Sequence, residues 1–157
     1  MSQLPIAQTL HRNGHWHGDA DTCTLTYDAR FLRRKRLVTD TGLSFVIDLD
    51  KTTSLEHGDA LELDEGTRVM IKAAPEALYV VTGENLARLA WHIGNRHTPC
   101  QIDDDRLLIQ NDPVIAHMLR HLGATITEAE LPFTPEGGAY GHGRTHAHEH
   151  GASAHAH

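Results

Sequence analysis

The spacing of apolar residues changes near residue 75, and this change constrains the fold more than any other feature of the chain. In residues 1–74 apolar side chains recur at every second position between turn signals, as in strands that bury one face. The clearest series are Leu43, Phe45, Ile47 and Leu49, and the runs 61–63 and 69–71, which are joined by the turn 64–66. We therefore predict a small all-β domain over residues 1–74.

Residues 75–134 instead mix short strands with helical spacing. The predicted elements are a strand at 77–82, a helix that Gly83 opens and Gly94 ends, strands at 100–103 and 107–110, a helix that Asp112 caps and Gly123 ends, and a strand at 124–131. The order βαββαβ is that of an α+β ferredoxin-like domain. The predicted fold class is thus two small domains followed by a flexible tail, residues 135–157.

Composition disfavours several classes of partner. The formal charge of −7 with neutral histidines opposes binding to bare phosphate, so we expect no nucleic-acid partner. No apolar run approaches the roughly 20 residues of a membrane span. The first 22 residues lack the basic and apolar segments of a secretory signal, and Cys23 and Cys100 form no CxxC pair. We predict a cytoplasmic protein that does not contact membranes.

The basic run RFLRRKR at residues 30–36 has two interpretations. Five basic residues on one strand are typical of a solvated face, and we favour that interpretation. The alternative is a peptide-binding or nucleic-acid-binding patch that uses Arg33, Arg34, Lys35 and Arg36.

The sequence contains no motif that indicates catalysis. It lacks the GxxxxGK[ST] phosphate loop, the GxSxG nucleophile turn and the HExxH zinc motif. The acidic cluster Asp103-Asp104-Asp105 falls in a predicted hairpin turn, where aspartates bond to the local backbone. We predict that the protein is not an enzyme.

Histidine is unusually abundant, because the chain has 14 histidines, as many as its lysines and arginines together. Six of them lie in the tail, where glycine and alanine replace apolar periodicity. Imidazole is the commonest metal-binding side chain, and six on a flexible segment can meet around one ion. The predicted tail ligands are His142, His146, His148, His150, His155 and His157.

Four further histidines lie in the second predicted domain. His97 follows the first helix on a loop and is a candidate metal ligand. His92 falls in the last turn of that helix, where a cation is favoured in any case. His117 and His121 stand at i, i+4 on the second helix, a spacing that fits either a metal clip or a polar shoulder beside the apolar stripe. We treat these last three as possible secondary ligands.

The string WHIGNRHTP (91–99), the later PF and PEGGAYG (132–141), and the histidine-rich end together resemble the urease accessory protein E (UreE) family of nickel metallochaperones. The resemblance implies a homodimer joined through ferredoxin-like domains, with His97 of each subunit binding one Ni²⁺ at the two-fold axis. It also implies that His142 or a near neighbour completes the coordination, and that the β domain is similar to a peptide-binding module. The implied partners are the urease apoprotein and the urease accessory GTPase.

Two points qualify this expectation. Some family members carry extra histidines just before the second helix, where this chain has the sequence QNDP at 110–113, so a peripheral metal site is not expected there. An imidazole site prefers Cu²⁺ over Ni²⁺ or Zn²⁺ in the test tube, so Cu²⁺ or Zn²⁺ also binds in vitro and nickel selectivity comes from availability and partners. The alternative function is general storage or buffering of nickel, copper or zinc by the tail.

Overall fold

The computed structural model describes residues 3–137, and its contacts divide the chain into two compact units at the junction of Ala74 and Pro75. The first unit contains six strands and one 3-10 turn, and the second contains two helices and four strands. In that part of the chain, no helix is long and apolar enough to cross a membrane.

The elements of the first unit are β1 Ile6–His11, β2 Asp21–Leu25, the 3-10 turn Asp28–Arg30, β3 Phe31–Val38, β4 Ser44–Ser54, β5 Ala60–Leu63 and β6 Arg68–Ala73. Those of the second are β7 Pro75–Thr82, α1 Leu86–Asn95, β8 Gln101–Ile102, β9 Leu107–Gln110, α2 Pro113–His121 and β10 Thr125–Pro132.

The first unit is all-β, as predicted. Its six strands form one sheet in the order β2-β6-β5-β1-β4-β3, in which β1 and β4, and β2 and β6, pair in parallel. The predicted hairpin of β5 and β6 is present, and Gly66, with φ of +102°, donates its amide to the Leu63 carbonyl. The buried apolar core includes Phe45, Ile47, Leu61, Val69 and Ile71.

Two features of this unit differ from expectation. Strand β1 was not predicted, because a shift of register between Ala7 and Thr9 breaks the two-residue alternation on which the prediction depended. Arg30 is not part of a solvated face, because it precedes β3 and is buried, with its guanidinium donating to the carbonyls of Leu55 and Leu25. The four basic residues of β3, Arg33, Arg34, Lys35 and Arg36, are all exposed, which agrees with both interpretations of the basic run.

The second unit is a four-stranded antiparallel sheet covered by two helices. The strand order is β10-β7-β9-β8. Both helices contribute to one apolar core with the strands, so they cover the same face of the sheet. The buried residues of this core are Val81, Leu89, Ile93, Leu107, Ile109, Ile115, Leu119 and Ala124.

The second helix matches the prediction and the first differs at both ends. In α2, Asp112 accepts hydrogen bonds from the amides of residues 114 and 115, and Pro113 occupies the first turn. Helix α1 begins at Leu86 rather than at Gly83, because the Asn85 side chain caps it by accepting from the Arg88 amide. Gly94 does not end the helix, which continues to Asn95.

Candidate metal centre

His97 lies just beyond the C-terminus of α1 and closes that helix. Its amide donates to the carbonyl of Gly94 at 2.9 Å, and the Thr98 amide donates to the carbonyl of Ile93 at 3.3 Å. These two bonds form a Schellman motif, which requires a left-handed residue at the position that His97 occupies. His97 accordingly has φ of +57°.

The end of α2 is the same motif built with glycine. The Gly123 amide donates to the Arg120 carbonyl at 3.0 Å, the Ala124 amide donates to the Leu119 carbonyl at 3.0 Å, and Gly123 has φ of +95°. Glycine is the usual residue at this position because it has no Cβ to meet the following carbonyl. The two helices therefore have the same ending, but the first places an imidazole where the second has no side chain.

The conformation of His97 is strained and its side chain is exposed. Among residues 3–137 it is the one non-glycine residue with positive φ. A left-handed conformation costs an L-residue roughly 1–2 kcal/mol, and histidine is among the types that adopt it more often than most. Backbone strain of this kind concentrates at functional sites, where the surrounding structure holds it in place.

The segment that leads into the tail is hydrogen-bonded to residues that follow His97 closely in the sequence. Phe133 is buried, the Thr134 amide donates to the Gln101 side-chain oxygen at 2.8 Å, and the Glu136 amide donates to the Cys100 carbonyl at 2.9 Å. The two hydrogen bonds hold Thr134 and Glu136 against Gln101 and Cys100, which lie four and three residues after His97. The tail histidines, 142 to 157, lie outside the described residues.

The structure brings the three secondary candidates together. His92 from α1 and His117 and His121 from α2 line one shallow cleft of about 460 Å³. His92 also meets the exposed ring of Trp91 edge to face, with ring centroids 5.0 Å apart. The other residues that line this cleft are Arg96, Met118 and Leu122.

The cysteine thiols are poor metal ligands in this fold. Burial, followed by the nearby Glu136 and Asp103 carboxylates, raises the pKa of the Cys100 thiol to about 12. Burial raises the pKa of Cys23 to about 11, with smaller contributions from Asp40 and Asp21. With these pKa values both thiols are protonated near neutral pH in the metal-free protein. Only the deprotonated thiolate binds a metal. Without a metal, neither thiol in the described part of the chain supplies a thiolate ligand near neutral pH.

Some histidines of the first unit have structural partners. His11 Nε2 lies 2.8 Å from a Glu62 carboxylate oxygen, and His57 Nδ1 accepts a hydrogen bond from the Ala73 amide at 3.1 Å. Within residues 3–137, no three histidine, cysteine, aspartate or glutamate side chains are grouped closely enough to hold an ion together.

Sequence reasoning missed part of this arrangement. Arg96, Met118 and Leu122 were not predicted to line a cleft with the three histidines. The sequence feature that could have indicated Met118 and Leu122 is their position, because each directly follows a candidate histidine of α2.

Comparison with known families accounts for both units. The model of the UreE urease accessory protein N-terminal domain matches residues 4–74, and the model of the C-terminal domain matches residues 76–157. The chain belongs to the UreE urease accessory protein family.

Relatives of the UreE family match along nearly the whole chain. A urease accessory protein UreE from Ruegeria pomeroyi is 60% identical over 147 residues, which is 94% of this chain and 99% of the relative. One from Cereibacter sphaeroides is 56% identical over 96% of this chain and 83% of the relative. One from Rhodobacter capsulatus is 51% identical over 96% of each chain.

Proposed function

We propose that the chain is a nickel metallochaperone of urease maturation, which carries Ni(II) as cargo and catalyses no reaction itself. Membership of the UreE family supports the link to urease, because the relatives are named urease accessory proteins. The partners in this proposal are the urease apoprotein and the urease accessory GTPase, and the compartment is the cytoplasm. The observation that carries the proposal is His97, an exposed imidazole held in a strained backbone conformation.

The metal site in this proposal is formed by two subunits. One imidazole per chain binds an ion weakly, and two-fold symmetry supplies a second copy of His97 without any further ligand in the chain. An exposed apolar residue near His97 supports such an interface: the Trp91 side chain on α1 is 62% exposed. Burying an aromatic side chain of this size against a second copy is favourable.

Tail histidines complete the coordination in this proposal. Glu136 is hydrogen-bonded to Cys100, and His142 lies six residues further along the chain. Six extended residues span up to about 20 Å, and the three residues from Cys100 to His97 up to about 11 Å. His142 is therefore within reach of the His97 imidazole. The other proposed tail ligands are His146, His148, His150, His155 and His157.

We also assign the second unit to the ferredoxin-like class. Counted within the unit, its four strands stand in the order 4-1-3-2, all antiparallel, with both helices on one face. The chain order βαββαβ supports the same assignment.

Equilibrium dialysis against Ni²⁺ combined with light scattering behind gel filtration tests the proposal. We expect a dimer, with one tightly held ion per dimer that His97→Ala removes and the control His15→Ala retains. Replacing the six tail histidines by asparagine is expected to lower the number of ions bound. Cu²⁺ is expected to displace Ni²⁺, because an imidazole site follows the usual order of divalent metals.

Two results would contradict the proposal. A chain that stays monomeric with and without Ni²⁺ has no two-fold site. If the asparagine tail removes all binding and His97→Ala removes none, the chain is a metal store that uses its tail, which is the alternative function.

A further inference from the structure

The cleft of His92, His117 and His121 is the second place in this fold where imidazoles are presented together. His117 and His121 are one helical turn apart on α2 and both are exposed. Side chains at i and i+4 have Cβ atoms about 5–6 Å apart on the same helix face. A pair of histidines at this spacing is the arrangement with which a helix binds zinc in the HExxH motif.

We propose that His117 and His121 form a divalent-cation site separate from the one at His97, with His92 as a third ligand from α1 and water at the remaining positions. The part of the chain from 3 to 137 shows no ready-made group of three ligands. The site therefore starts from the pair on α2, and the His92 side chain joins by a change of rotamer within the cleft that all three line.

The charges around the cleft favour a cation on balance. His92 lies in the last turn of α1 and His121 in the last turn of α2, so the C-terminal ends of both helices border the cleft. Each helix C-terminus carries a partial negative charge of about half an elementary charge. Arg96 lines the same cleft and opposes a bound cation, which sets this site apart as a weak one that exchanges its ion readily.

The imidazoles of α2 are also uncommitted. Those of His11 and His57 are held by other groups, whereas neither His117 nor His121 has a hydrogen-bond partner within the described residues. An ion bound by His117 and His121 therefore breaks no hydrogen bond of either imidazole within the described residues. Met118 and Leu122 add apolar side chains to the lining of the cleft, and a less polar surrounding strengthens the bond between a ligand and a cation.

Trp91 provides a local reporter, because its ring contacts His92 and bound Cu²⁺ quenches tryptophan fluorescence nearby. The test is a Cu²⁺ titration of the full chain carrying Trp16→Phe, so that Trp91 is the remaining tryptophan. His97→Ala is added to remove the other proposed site. The variant is His117→Asn with His121→Asn, and the matched control is His15→Asn with His17→Asn, which removes the same number of imidazoles from the first unit.

We expect Cu²⁺ to quench Trp91 fluorescence in the protein with His97→Ala and in the control. In the His117→Asn, His121→Asn variant, we expect the Cu²⁺ concentration at half-maximal quenching to rise by more than about tenfold. Even changes in residues that only support a ligand cost roughly 10–100-fold in metal affinity. Unchanged quenching in that variant would show that the pair on α2 is a polar shoulder. Loss of quenching with His97→Ala alone would also overturn the proposal, because Trp91 would then report the other site. Failure here leaves the dialysis result at His97 intact, so the two proposals fail separately.

A second measurement does not depend on replacing Trp16. In the chain with both tryptophans, Zn²⁺ is expected to shift the ring-nitrogen NMR signals of His117 and His121. Signals of this pair that stay in place while tail signals shift would contradict the site.

Discussion

The backbone of His97 offers a test in which stability and metal binding respond differently to one substitution. His97→Ala and His97→Gly both remove the imidazole, but they differ in how easily the new residue adopts the left-handed conformation. Gly123 at the end of α2 allows the reciprocal change, Gly123→Ala, in the same motif. No atom lies within 4 Å of a Cβ built at Gly123, so that change tests conformation without a clash.

The expected magnitude follows from two opposing effects. The left-handed conformation costs a residue with a Cβ roughly 1–2 kcal/mol, and glycine avoids that cost. Glycine in turn loses more chain entropy on folding, which costs about 0.5–1 kcal/mol relative to alanine. The difference leaves His97→Gly more stable than His97→Ala by about 0.5–1 kcal/mol, and Gly123→Ala less stable than the natural chain by a similar amount.

Thermal unfolding of metal-free protein measures these differences. For a domain of 60–100 residues, 1 kcal/mol moves Tm by about 4–8 °C, so we expect shifts of roughly 2–8 °C in the transition of the second unit. Nickel dialysis of the same proteins is expected to show the tight ion lost from both His97 variants. If His97→Ala is more stable than His97→Gly, as at an ordinary helix position, the argument from strain is wrong.

Four further predictions concern other parts of the chain. Asp59→Ala removes a buried carboxylate that accepts three hydrogen bonds, and is expected to lower the unfolding free energy of the first unit by about 3–5 kcal/mol in urea. Cys23 and Cys100 have raised pKa values of about 11 and about 12, so iodoacetamide is expected to label the native protein slowly at pH 8. The pKa of each thiol is higher in the folded protein than the unfolded value near 9, so the stability that the thiols contribute is complete below pH 9. This stability is lost as pH rises towards 12, and thermal unfolding at a series of alkaline pH values measures the loss. Gln101→Ala removes the acceptor of the Thr134 amide, whose hydrogen exchange is expected to accelerate by roughly tenfold or more.

The elements that the sequence predicts well are those with local signals. Helix α2 has a capping aspartate, a proline in its first turn and a glycine beyond its end, so three independent residues determine its bounds. Strand β9 at Leu107–Gln110 follows the predicted range because a run of apolar residues lies next to an acidic turn. In both cases the deciding interactions lie within a few residues of one another.

Other features depend on contacts between distant residues. Arg30 is buried because its guanidinium meets the carbonyl of Leu55, which lies 25 residues away, and nothing near Arg30 in the chain indicates this. The pair His117 and His121 is visible in the sequence, but the cleft requires His92 to lie opposite on another helix. Such juxtapositions follow from the packing of the whole unit. The sequence therefore showed the three histidines without showing that they line one cleft.

The prediction that α1 ends at Gly94 was wrong, and the reason shows how this helix positions His97. A glycine near the end of a helix pattern normally supplies the left-handed residue, and on that rule α1 ends at Gly94. In the structure Gly94 continues the helix, and its carbonyl accepts a hydrogen bond from the amide of His97, which takes the left-handed position three residues later. Two backbone hydrogen bonds hold the main chain that carries this imidazole, and preorganised ligands lose less entropy when they bind. In the proposed metal site, this backbone conformation positions the imidazole of His97, so the end of α1 is a part of that site.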